Sequence, residues 1–237
     1  MSRYHVIACD VLETELLHFG ERCDADLSFE FMEQGLHNEP DRLRAEVSEA
    51  VLRAPDEAEA TLLGYGLCSN GIQGIAAHKH PLVVPRAHDC VTLFLGSRGR
   101  YQEYYDRNPG TYWYTPGWIA TGTQPSEERY RQARQAYVEQ YGEENADYLM
   151  EMTEGGWTKH YQNAAYVNLG IGDPKADIEF TKECADFFGW SCDVIQGDPS
   201  LLLKFLGGEW DEEDFLVVQP GESIIASHDG RVLGVAK

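Results

Sequence analysis

Cysteines at positions 9, 68 and 90 each stand where an apolar run stops, in "VIACD", "GYGLCSNG" and "PRAHDC". Two histidines accompany them, His37 in "GLHNEP" and His88 in the same stretch as Cys90. Three thiolates can hold zinc and leave a fourth position for water, substrate or a histidine. They can equally hold a four-iron cluster whose last iron stays free, and spacings of this kind leave both open. A metal in such a place lowers the pKa of a bound thiol or water and orients it for attack. The competing account is packing, because free cysteine is among the residue types most often buried. Where "RAHDC" stays extended, side chains alternate with period two and Arg86, His88 and Cys90 point one way. His88 or His37 would then complete the coordination or move a proton, with Asp89 fixing a histidine tautomer.

Other residues in these stretches suggest how a small molecule would be held. The glycines of "GYGLCSNGIQG", read as a strand-to-helix junction, offer backbone N–H groups to an anion, with Gly66, Asn70 and Gly71 in the loop. Arg98, in "GSRGRY", is a candidate carboxylate or phosphate clamp, with surface ion pairing as its alternative. The loop matches neither a dinucleotide fingerprint nor a Walker loop. "PGTYWYTPGW" gathers Tyr112, Trp113, Tyr114 and Trp118, which suits a methylated ammonium group through cation–π attraction or else a packed core. Cys23, Cys184 and Cys192 lie in or beside helical segments or at a strand start and read as structural.

The elements that must position these residues alternate between β-rich runs and helical stretches, the pattern of an α/β protein with a largely parallel sheet flanked by helices. In such sheets ligands collect beyond the carboxyl ends of the strands. Cys9 ends the first run, His37 follows the second, Cys68 ends the third, and His88 with Cys90 end the fourth, so one sheet edge receives them all. A helix opened by Pro40 and Asp41 shows Leu43, Val47, Ala50 and Val51 on one face, and Asn38 is placed to cap it. A polar helical stretch over about residues 125–152 separates two alternating halves. The expectation is an N-terminal lobe over 1–118 carrying the Cys/His site and a helical segment plus second lobe over 119–237. Two Rossmann-like lobes with a long helical insertion is one version of this.

The chain has 237 residues with 19 Lys and Arg against 40 Asp and Glu, a net charge of −21. That balance repels polyanions and sets aside nucleic acid and anionic lipid as partners. No stretch approaches the length of apolar residues that spans a bilayer, and "MSRYHVIACDVLETELL" lacks the basic flank and apolar region of a secretion signal, so a cytoplasmic protein is expected. Disulfides are rare in that compartment, which favours thiols or metal ligands for the six cysteines.

Several stretches, "CDVLETEL", "GLHNEPDRL", "GYGLCSNGIQG", "VVPRAHDCVTLFLGSRGRY", "PGTYWYTPGW" and "GDPSLLLKFLGGEWDEEDFLVVQPGE", resemble the bacterial and archaeal family called domain of unknown function 1638, over nearly the whole chain. The resemblance implies an association with corrinoid-dependent methyltransferase systems for methylated amines, and it draws attention to Cys9, His37, Cys68, His88 and Cys90. From these residues we expect a metal-dependent transferase of one-carbon or sulfur metabolism. Zinc or an iron–sulfur cluster would activate a thiol, sulfide or water for methyl or sulfur transfer to a small molecule such as a methylated amine or thiol. The rival expectation is a non-catalytic accessory that carries a metal or binds a corrinoid protein.

Overall fold

A computed structural model of the chain describes residues 1–68, 70–227 and 229–237. It begins with strand β1 (Ser2–Cys9), helix α1 (Glu13–Gly20), strand β2 (Ala25–Met32) and helix α2 (Pro40–Arg53). Pro40 opens α2, where a missing N–H costs nothing, and Leu43, Val47, Ala50 and Val51 are its buried face. The helix N-cap is Glu39, without a side-chain cap bond, and the expected cap Asn38 instead ends a one-turn 3₁₀ segment, Leu36–Asn38. Strands β3 (Ala60–Gly64) and β4 (Leu82–Pro85) are buried along their whole length, which is why they read as unbroken apolar runs.

Helices α3 (Val91–Leu95) and α4 (Arg98–Arg107) lead to strand β5 (Thr111–Tyr114) and helix α5 (Pro116–Thr121). Helices α6 (Glu127–Tyr141), α7 (Glu143–Met152) and α8 (Glu154–Thr158) follow, and α6 buries none of its residues. Strand β6 (Asn163–Asn168), helix α9 (Pro174–Phe188), strand β7 (Ser191–Gln196) and helix α10 (Ser200–Gly207) restore the alternation. Strand β8 (Phe215–Val218) and a hairpin of β9 (Ser223–Ala226) and β10 (Leu233–Ala236) end the chain.

The fold is α/β. One sheet has the order β2-β1-β3-β4-β8, with the first four strands parallel and β8 antiparallel to β4 from Leu82↔Val218 to Pro85↔Phe215. A second, fully parallel sheet has the order β5-β6-β7. The chain divides into residues 1–101 with 197–237 as one unit and 102–196 as the other. This departs from the expected division at 118 for two reasons. Strand β5 pairs with β6, Thr111 opposite Asn163, and so belongs with the sheet that follows it. Strand β8 returns to the first sheet. The core of the first unit includes Ile7, Leu43, Leu63, Val84 and Leu216, and that of the second Tyr114, Tyr166, Cys184 and Trp190. Among the described residues no helix is long and apolar enough to cross a membrane.

Candidate functional site

In the first sheet β1 connects outward to β2 on one side while β3 connects to β4 on the other, so the strand order reverses between β1 and β3. Connections that diverge in this way leave a crevice beyond the carboxyl ends of the two central strands. Cys9 is the last residue of β1, and the segment Tyr65–Cys68 leaves β3. Of the three candidate metal ligands, Cys9 therefore ends one of the strands that border the crevice, and Cys68 lies four residues beyond the end of the other.

The third is brought in by the loop after β4. Leu67 N–H donates to Ala87 C=O at 2.8 Å and Cys68 N–H donates to His88 C=O at 3.0 Å, which zips the loop after β3 to the loop after β4. The contact is close enough to require glycine. A Cβ on Gly66 would lie 2.6 Å from Asp89 Cα and 2.7 Å from its backbone nitrogen, and one on Gly64 would lie 2.6 Å from the Cβ of its register partner Ala8. The glycines thus let backbones approach one another.

As an anion cradle the loop has few donors to spare. Gly71 N–H donates to Cys68 C=O at 2.9 Å, Gln73 N–H to Asn70 C=O at 3.2 Å and Gly74 N–H to Ile224 C=O at 2.8 Å. The expected helix after this loop is a set of turns. Asn70 is exposed, and its carbonyl also accepts from Arg44 at 3.3 Å. Arg98 donates to the carbonyls of Gly230 and Glu213, the latter at 2.9 Å, so it ties α4 to the C-terminal segment.

"RAHDC" does not stay extended, because β4 stops at Pro85 and Ala87 N–H turns back to Pro85 C=O at 2.9 Å. Period-two alternation therefore fails there. Arg86 is buried and donates to the carbonyls of Glu212 (3.0 Å), Phe215 (3.1 Å), Arg231 (3.3 Å) and Leu233. His88 is exposed, and Cys90 is the N-cap of α3. Asp89 accepts from Val91 N–H at 3.1 Å and from the Tyr101 hydroxyl at 2.6 Å, so these two hold its carboxylate, while His88 acts on it through charge. His37 lies in the 3₁₀ turn after β2, half-buried, where desolvation lowers its pKa.

The three sulfurs are electrostatic neighbours. Burial pushes the Cys9 thiol up to about 12, with Asp10 adding to the effect, and Cys9 Sγ lies 3.7 Å from Asp10 Oδ1. Burial likewise pushes Cys68 up to about 12, followed by the charges of Asp89 and Cys9. Cys90 is raised well above the ordinary thiol range by burial and then by Cys68, Asp89 and Cys9. The charged groups that act on these thiols include Asp10 at Cys9, and Asp89 at Cys68 and Cys90. All three cysteines are half-buried, and Cys9 and Cys68 also pack against the apolar core.

Two further features single the place out. Cys68 has φ +46°, a left-handed conformation that costs a side-chain-bearing residue about 1–2 kcal/mol and collects at functional positions. Tyr65, 3% exposed, has a buried hydroxyl with no hydrogen-bond partner among the described residues, and Cys9, Cys68, Asp10 and Cys90 all raise its pKa beyond the effect of burial. Sequence reasoning missed Tyr65, which looks like any core aromatic at the end of an apolar run. Among the described residues no three His, Cys, Asp or Glu side chains already stand in a metal-holding arrangement.

The aromatic stretch is part of the core of the second unit. Tyr112 packs against Tyr114, Trp118, Trp157, Tyr161 and Trp190 at centroid distances of 5.2–6.0 Å. A cation already sits over Trp157, because the Arg129 guanidinium lies 5.8 Å from that ring and 3.6 Å from Glu154. The stretch containing Trp157 forms the short helix α8.

A family model described as Protein of unknown function (DUF1638) matches residues 31–206. The matched span includes His37, Cys68, His88 and Cys90 and leaves out Cys9, so it is shorter than the whole-chain resemblance expected. No curated protein and no solved structure matches the chain.

Proposed function

We propose that this chain, a member of the DUF1638 family, binds zinc or an iron–sulfur cluster through Cys9, Cys68 and Cys90 and uses it to activate a small thiol, sulfide or water for group transfer. The observation that carries the proposal is that, beside the switch point between β1 and β3, the Cys68 thiol is raised by Cys9 and the Cys90 thiol by both Cys68 and Cys9. Such a group is poorly accommodated as thiolates by the protein alone. A soft cation held by Cys9, Cys68 and Cys90 would supply the missing positive charge and favour the thiolate forms. Three sulfurs leave a position open, which is the arrangement a metal needs in order to bind and activate a further group.

The chain's own residues have distinct parts in this scheme. Gly64 and Gly66 let the loops approach closely enough for Cys68 and Cys90 to be neighbours. Asp89 is held by Tyr101 and by the amide of Val91, which fixes the turn that presents Cys90. His88, exposed beside Cys90, is the candidate to exchange a proton with solvent, and His37 is the second. Methyl transfer to a metal-bound thiolate, with a methylated amine as donor in a cytoplasmic corrinoid system, is the specific version of the proposal. Half-burial of all three cysteines also favours a second reading, an accessory protein that passes its metal or binds a corrinoid partner.

The test is elemental analysis and an ultraviolet–visible spectrum of the full chain purified without oxygen, beside Cys68→Ser and Cys90→Ser. Wild type is expected to hold zinc or iron near one site per chain, and each variant to lose most of it. Wild-type protein that neither retains nor takes up zinc or iron, or variants that bind as well as it does, overturn the proposal. Rapid loss of metal to a mild chelator distinguishes the accessory reading from the enzyme.

A further inference from the structure

Tyr65 is three residues before Cys68 in the segment that leaves β3, and it belongs to the same apolar cluster against which Cys9 and Cys68 pack. Its ring is buried as a core ring should be. Its hydroxyl is buried as well, yet has no hydrogen-bond partner among the described residues. A buried polar atom left unpaired is costly, so it persists where something outside the polypeptide pairs with it. A phenol at neutral pH offers a proton, and what it lacks here is an acceptor. Cys9 and Cys68 pack against the cluster that holds Tyr65, and their charges, with those of Asp10 and Cys90, are felt at its hydroxyl, so the acceptor is sought on their side of it.

We propose that the Tyr65 hydroxyl donates a hydrogen bond to a small exogenous thiol bound as thiolate at the open position of the Cys9, Cys68 and Cys90 site. The inference rests on the metal reading and names its substrate class. An ion on three sulfurs is soft and takes a fourth sulfur readily. As the new bond forms, the incoming thiol gives its S–H proton to solvent and a sulfur lone pair to the ion. The bound sulfur keeps other lone pairs, and one of them accepts from Tyr65, which retains its own proton throughout. A ligand whose donor atom has no lone pair left after binding gains nothing from Tyr65.

The experiment uses the full chain loaded with cobalt(II), whose visible absorption reports the fourth ligand, in wild type and Tyr65→Phe. Both proteins are expected to load cobalt equally. Titration with 2-mercaptoethanol should give a dissociation constant about tenfold weaker in Tyr65→Phe, the scale of one hydrogen bond to a charged acceptor. Imidazole, whose bound nitrogen has no spare lone pair, should bind both equally. Equal mercaptoethanol constants, or equal weakening for both ligands, overturn the assignment. In metal-free protein Tyr65→Phe should melt above wild type because it removes an unpaired hydroxyl. A lower melting temperature means the hydroxyl has a partner within the protein and also overturns it. If wild type takes up no cobalt, the metal reading has failed, a result distinct from a change confined to the thiol constant.

Discussion

At the scale of single residues, the placing of the candidate cysteines after strands was legible in the sequence but their surroundings were not. Cys9 ends β1, Cys68 and Cys90 come after β3 and β4, and Cys68 and Cys9 both act on the Cys90 thiol. The pairing of His88 with Cys90 was argued from strand alternation, and β4 ends at Pro85, before alternation can apply. Tyr65 was invisible because its signal is a missing hydrogen bond, which exists only in three dimensions. Two predictions belong here. Cys68 has φ +46°, so Cys68→Gly relieves strain that Cys68→Ser keeps. In metal-free protein the glycine variant should be the more stable by about 1 kcal/mol in denaturant titration, although both lose a ligand. His5, 7% exposed, has its pKa lowered by burial, with Glu30 partly opposing. Between its folded pKa and the ordinary value of about 6.5, the native state binds fewer protons than the unfolded chain, so stability falls as pH drops. His5→Gln, which can still bond Ser28, should show a smaller fall in melting temperature from pH 7 to pH 5 than wild type.

At the scale of elements, the sequence separated helices from strands well and described loops poorly. The buried face of α2 was legible because its apolar residues recur with helical period, and β3 and β4 were legible as unbroken apolar runs. The glycine loop read as a ligand cradle because its residue types suit one. Its glycines instead meet Asp89, Ala8 and Leu43, neighbours remote in sequence that no local pattern announces. Gly66→Ala should push the loop after β3 away from the loop after β4, costing about 1–3 kcal/mol of stability and sharply reducing zinc content. Unchanged zinc content would show that the two loops need not touch for the site to form. Arg86 binds β4's exit to the carbonyls of Glu212, Phe215, Arg231 and Leu233. Arg86→Met leaves those buried acceptors unpaired and should cost at least about 2 kcal/mol by chemical denaturation.

At the scale of the whole molecule, fold class and the repulsion of polyanions follow from the sequence, whereas the division into units does not. The net charge of −21 is a property of the whole chain and acts as self-repulsion. Raising sodium chloride from about 10 mM to about 150 mM shortens the screening length from about 30 Å to about 8 Å and should raise the melting temperature. A fall would mean that the surface ion pairs outweigh the repulsion. The boundary expected at residue 118 followed the run of elements along the chain, while the real division follows strand pairing: β8 crosses back to β4 after the whole of 102–196 has intervened. That return has a consequence for how the protein is made. A nascent chain leaving the ribosome can complete the intervening unit while β4 still lacks its neighbour, and the edge of β4 must stay protected until the last segment emerges. The unit that carries Cys9, Cys68 and Cys90 is therefore completed after the other, and any factor that loads a metal cotranslationally would meet an unfinished sheet.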